Sequence, residues 1–122
     1  AIVPFIKNHS NLRGLLLLEC AISDDTLQVI AEYLPELRHL DISFCTRVTL
    51  QAIRSLIHHC PYLEALGLKH CGLSRSDFPE LTLKELSTLN CEDLDRIRKH
   101  KEDTIQDSYA YIHHYLSTEQ VH

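Results

Sequence analysis

The chain has 122 residues, 44% of them hydrophobic and 24% charged, the proportions of one folded domain rather than of a disordered tail. Twelve Lys plus Arg against 17 Asp plus Glu give a net charge of −5, which argues against a surface built to neutralise nucleic-acid phosphates. The longest continuous apolar run, Leu15 to Leu18, is far short of the roughly twenty residues a membrane-spanning helix needs.

From the N-terminus, Ile2, Val3, Phe5 and Ile6 have the spacing of a helix already under way. With no Met in the chain and no targeting segment ahead of that helix, the expectation is a piece of a longer protein. A repeated pattern follows. Leu12-x-x-Leu15-x-Leu17-x-x-Cys20 recurs as Leu37-x-x-Leu40-x-Ile42-x-x-Cys45 and again as Leu63-x-x-Leu66-x-Leu68-x-x-Cys71, with starts 25 and 26 residues apart. A fourth copy, Leu83-x-x-Leu86-x-Thr88-x-x-Cys91, comes after only 20 residues and carries Thr at its third apolar position.

The period decides the local structure. The last two apolar residues of each motif are two apart, so on a strand they face the same side. After Cys20, the residues Thr26, Leu27, Val29, Ile30, Ala31 and Leu34 form an apolar stripe at helical spacing, with Ser23 and Asp24 as capping candidates. After Cys45 the same layout returns, with Thr49 as cap and Leu50, Ile53, Leu56, Ile57 and Cys60 as the stripe. Each unit is predicted to be a strand, a turn and a helix that can bury both apolar faces only by stacking on its neighbours. Past Cys71 the spacing contracts to 12 residues before Leu83, and Pro79 falls where the next helix belongs, so a short turn is expected there.

These motifs resemble the cysteine-containing leucine-rich repeats of F-box/leucine-rich-repeat proteins. The resemblance covers residues 12 to 71 closely, and residues 2 to 11 fit the helix of a preceding unit. It implies an α/β leucine-rich-repeat solenoid, with short parallel strands on the concave side, helices on the convex side and a helical C-terminal cap. Residues 1–91 would hold a partial first unit, three clear units and one degenerate unit, and residues 92–122 the capping segment or tail. The cysteine ending each strand motif is expected to pack inward as a small apolar residue.

In residues 92–103 acidic side chains precede basic ones around Leu94 and Ile97, which suits a solvated helix along its dipole. Ile105, Tyr109, Ile112 and Leu116 continue at helical spacing. A cap over the last apolar face is the main expectation for 92–116, and a partner-binding helix the alternative.

Little here points to chemistry. Five cysteines and nine histidines invite a metal, but His58-His59-Cys60, His70-Cys71 and His113-His114 are adjacent pairs and runs, without the paired spacing of a metal site. No phosphate-binding glycine loop or nucleophile elbow occurs. The chain is therefore not expected to be an enzyme or to carry a cofactor or metal. An odd cysteine count without a disulfide pattern points to free thiols in a reducing compartment, cytoplasmic or nuclear.

If the strands are as drawn, Gly14, Leu16, Leu18, then His39, Asp41, Ser43, then Ala65, Gly67, Lys69, and finally Glu85, Ser87, Leu89 face outward, with Phe44 just beyond Ser43. Leu16 and Leu18 are apolar where polar residues are expected, either as a contact surface or because upstream chain covers them. The partner-binding residues expected on this face are Leu16, Leu18, His39, Asp41, Phe44 and Lys69. The resemblance implies a protein-interaction module like the substrate-recognition repeats of an SCF-type ubiquitin ligase receptor, meeting the Skp adaptor only through an upstream F-box that this sequence lacks. A non-ligase repeat scaffold or assembly factor is the alternative. No nucleic-acid or membrane partner is expected.

Overall fold

The computed structural model describes residues 2–100. Three helices, α1 (Ile2–Lys7), α2 (Asp24–Tyr33) and α3 (Leu50–His59), alternate with three strands, β1 (Gly14–Leu16), β2 (His39–Asp41) and β3 (Ala65–Gly67). A 3-10 turn, Arg75–Asp77, leads to β4 (Thr88–Leu89), and a helix over residues 91–100, here α4, ends the described chain. The sheet order is β1-β2-β3-β4. The first three strands are parallel and in register: Leu15 pairs with Leu40 and Leu40 with Leu66, the middle leucine of each motif.

The strands are short, but the backbone ladder outlasts them. Leu17 N–H donates to Asp41 O at 2.8 Å and Ile42 N–H to Gly67 O at 3.0 Å; further on, Glu19 N–H reaches Ser43 O and Phe44 N–H reaches Lys69 O. Side-chain alternation separates two faces. Leu17, Leu40, Ile42, Leu66 and Leu68 turn into the core against Leu27, Ile30, Ile53, Leu56 and Ile57 of α2 and α3. The helices lie side by side, α1 on α2 and α2 on α3, so one apolar layer fills the space between helices and sheet.

Beyond β2 and β3, and at the matching place after β1, the chain makes the same tight turn. Glu19, Phe44 and His70 all have positive φ, at 58°, 66° and 55°, a left-handed conformation that costs a non-glycine residue about 1 kcal/mol. The turn aims the next residue, a cysteine, back across the sheet. Cys45 Sγ donates to Leu17 O and Cys71 Sγ to Ile42 O, both at 2.9 Å, so each thiol ties its turn to the preceding strand end. Burial pushes both thiols up from their ordinary range, and pushes Cys60 of the α3 stripe up to about 11. The expectation for the other two motif cysteines needs correction. Cys20 is half-buried and Cys91 is exposed at the start of α4.

Helix starts follow the sequence in part. Thr49 caps α3, its hydroxyl accepting from Ala52 N–H, whereas Ser23 flanks α2 without a side-chain cap. Asp24 works on the neighbouring helix instead: its two carboxylate oxygens accept from Thr49 N–H and Thr49 Oγ1, each at 2.8 Å. Asn90 and Asp93 cap α4 reciprocally, Asp93 N–H donating to Asn90 Oδ1 and Asn90 N–H to Asp93 Oδ2, both at 3.0 Å.

The fourth unit departs from the pattern. β4 runs antiparallel to β3 and pairs Leu89 with Leu66, where the motif would place Leu86. Leu89 is buried and fills the core from the position expected to face outward, while Leu86 is only half-buried. The cause is the connection. The preceding units lay a ten-residue helix between strands, but the segment holding Pro79 forms only a three-residue 3-10 turn. A parallel strand needs a crossover of a dozen or more residues, usually helical, and without one the chain comes back antiparallel. The cap expected at 92–116 is described only as far as residue 100; Leu94 and Ile97 of α4 are buried, and the expectations for Ile105, Tyr109, Ile112 and Leu116 lie outside the described residues.

Candidate protein-binding face

The outer face of the sheet, away from the helices, carries the features that the core does not explain. Leu16, Leu18 and Phe44 stand 71%, 48% and 44% exposed on it or at its rim. Leu16, His39 and Asp41 come together with Leu40, Ala65, Gly67 and Thr88 around a shallow groove of about 170 Å³. The strand register explains the meeting. Leu16 pairs with Asp41 and Asp41 with Gly67, so one outward residue from each of three strands lies in a row.

The row is locked in place by side-chain chemistry. Asp41 Oδ1 accepts from Ser43 N–H at 3.0 Å. Its carboxylate lies across Gly67, where a Cβ would fall 2.2 Å from Oδ1; glycine is required there because the aspartate occupies the space of its side chain. Ser43, expected to face outward, is buried instead, and its hydroxyl accepts from Lys69 N–H at 3.1 Å. Beside the groove, Arg38 donates to Glu64 Oε2 at 2.9 Å and His39 Nε2 lies 3.9 Å from Glu64 Oε1. The Arg38 guanidinium also sits over the Tyr62 ring, 5.8 Å from its centroid.

The remaining expected residues sit apart from the groove. Leu18, Phe44 and Lys69 belong to the tight turns past the strand ends, and all three are exposed. There Phe44 packs on His70 with ring centroids 5.0 Å apart, the two left-handed residues of adjacent turns forming an aromatic ledge. Sequence reasoning assigned His70, Glu64, Ala65 and Gly67 no place among the binding residues. The signal for the last two was present: in the third unit the outward positions shrink to Ala and Gly beside an outward Asp. The ledge had no such signal, because neither Phe44 nor His70 is a residue that favours positive φ.

A second depression, about 440 Å³, lies between α2 and α3 and is lined by Leu27, Ala31, Ala52, Leu56, Asp24 and His59 among others. Among the described residues no three His, Cys, Asp or Glu side chains are grouped to hold a metal ion, and no helix is long and apolar enough to cross a membrane. Set against known proteins, the chain matches no protein-family model, no curated protein and no solved structure.

Proposed function

We propose that this chain is a protein–protein interaction module built from leucine-rich repeats, and that the outer sheet face is its partner-binding surface. One observation carries the reading: large apolar side chains are left in water along that single face, beside a groove with its own fixed carboxylate. Full burial of an exposed leucine by a partner is worth about 1.5–3 kcal/mol, so Leu16 and Leu18 supply a substantial driving force for association. The cysteine-ended repeat supports a finer reading, in which the face holds the substrate of an SCF-type ubiquitin ligase and the Skp adaptor docks on an F-box elsewhere in the protein.

The test is affinity purification of the intact gene product from its own cells, as wild type and as the double variant Leu16→Asp/Leu18→Asp. Both side chains are exposed and make no core contact that the variant removes, so thermal unfolding should move by less than about 0.5 kcal/mol per site. The expected outcome is a set of proteins lost only from the variant, with the Skp adaptor and a cullin retained by both forms. Identical protein sets from the two forms remove the outer-face reading. Loss of partners without any adaptor in either sample leaves the interaction module standing and replaces the ligase reading with a scaffold.

A further inference from the structure

We propose that the groove on the outer sheet face takes the side chain of a lysine or arginine from an extended segment of the partner, an inference that rests on reading this face as the protein-binding surface. The size comes first. About 170 Å³ is below the roughly 300–1,000 Å³ of small-molecule sites, and it suits one long side chain. The walls come next. Leu16, largely exposed, stands on one side, and the floor is made by Ala65 and Gly67, which raise almost no side chain of their own. Such a trough accommodates an aliphatic stem.

The charge then selects what the stem must carry. Asp41 is half-buried, laid over Gly67 and oriented by the Ser43 N–H, which occupies Oδ1. Among the described residues no hydrogen bond or ion pair reaches Oδ2. The other carboxylates nearby are already matched, Glu64 by Arg38 at 2.9 Å and by His39 at 3.9 Å, and Glu36 by Arg13 at 3.8 Å. Asp41 is thus the groove's unmatched charge, held in a fixed orientation before any partner arrives. A lysine or arginine combines an apolar stem with a cationic head, and its hydrogen bond to Oδ2 would be of the strong, charge-assisted kind. A glutamate or aspartate in the same place would meet a like charge, and a purely apolar residue would bury the carboxylate without a partner.

The experiment follows the backbone amides of the isotope-labelled chain by NMR during titration with three capped pentapeptides of sequence Ser-Leu-Z-Leu-Ser, where Z is arginine, norleucine or glutamate. The arginine peptide is expected to shift the amides of Asp41, Ala65 and Gly67 saturably and to bind at least about ten times more tightly than the norleucine peptide, with no saturable response to glutamate. In about 1 M NaCl, where the screening length is about 3 Å, the arginine preference should disappear. Asp41→Asn keeps an oxygen acceptor for Ser43 N–H and removes the charge; its arginine-to-norleucine ratio should fall close to one. Should that variant fail to fold, the three peptides and the salt dependence on the wild-type chain decide the question by themselves.

Equal binding of arginine and norleucine peptides overturns the basic anchor and leaves the binding face intact. A preference that survives in Asp41→Asn or in high salt also overturns it. No saturable shift from any peptide overturns the anchor, and the Leu16→Asp/Leu18→Asp comparison then decides the face by itself.

Discussion

Residues 14–71 and residues 72–100 hold themselves together by different means. In the first region each unit hands the same groups to the next. Backbone N–H groups of one strand and turn meet carbonyls of the neighbour, and a cysteine thiol returns to the strand before it. Past Cys71 no further copy of that unit is available, and long charged side chains take over. The Arg54 guanidinium makes two bonds to Glu80, at 2.6 and 3.0 Å, and one to Asp77 O at 2.8 Å, while stacking over Phe78. Arg98 donates to Ile57 O, Cys60 O and Leu63 O at the C-terminal end of α3. Self-similar backbone can satisfy its own unpaired groups by repetition; where repetition stops, a side chain with several donors in a fixed fork satisfies them instead.

Breaking the second means should have the largest effect. Arg54→Ala leaves the Glu80 carboxylate, only 6% exposed, without its counter-charge, and strips the donor from Asp77 O. Removing one member of a buried pair costs about 3–5 kcal/mol, read as a fall in the midpoint of urea unfolding. The pH dependence identifies the cause. Burial alone would push the Glu80 carboxyl up, but the hydrogen bonds and charge of Arg54 outweigh it and hold the carboxyl below its ordinary range. That stabilisation is complete above the unfolded value of about 4.3 and is lost as pH falls through the depressed native value. The gap between wild type and variant should therefore be widest near neutrality and narrow below about pH 4. A gap that stays constant through acid would assign the loss to packing on Phe78 rather than to the charge pair.

The first means breaks more gently. Asp24→Ala deletes two bonds to Thr49, but Thr49 N–H and Oγ1 lie at an exposed helix start where water replaces the carboxylate. The expected cost is about 1 kcal/mol. The same substitution at Asp25, adjacent on α2 and with no hydrogen bond across to α3 among the described residues, should fall within about 0.5 kcal/mol. Equal losses at the two positions would mean that the carboxylates act through the α2 dipole and not through the link to the next unit.

The link at Asp24 shows where sequence reading stops. The leucine spacing alone was sufficient to place three strands in one register and to say which of their residues face the core, because side-chain alternation leaves one solution when one face is buried. It was also sufficient to expect a turn near Pro79. Asp24 itself was read as a cap for its own helix, and nothing local distinguishes that from capping the helix 25 residues later. Likewise the fourth motif reads as a strand in phase with the others. Its reversal follows from the missing crossover helix, a property of the connection and not of the motif. Of the binding face, Leu16 and Leu18 were legible as apolar residues at outward positions. The carboxylate over Gly67 was not, since it depends on strands two and three lying side by side.

The smallest perturbation is chemical and needs no variant. Alkylation of the native chain, followed residue by residue by mass spectrometry, compares the two regions through their thiols. Cys45 and Cys71 are buried and donate to backbone carbonyls, and Cys60 is buried with its thiol pushed up to about 11. The reactive species is the thiolate, so at pH 8 all three should modify only as fast as the fold opens. Cys91 is exposed at the N-terminal end of α4 and should react first; Cys20, half-buried in the first unit, should follow. In dilute urea the first region should open as one block, with Cys45 and Cys71 becoming reactive at the same concentration because each thiol is bonded to the preceding strand end. If Cys71 is released well before Cys45, the stack frays from the fourth strand inward, and the arginine contacts rather than the repeated ladder set the stability of the third unit.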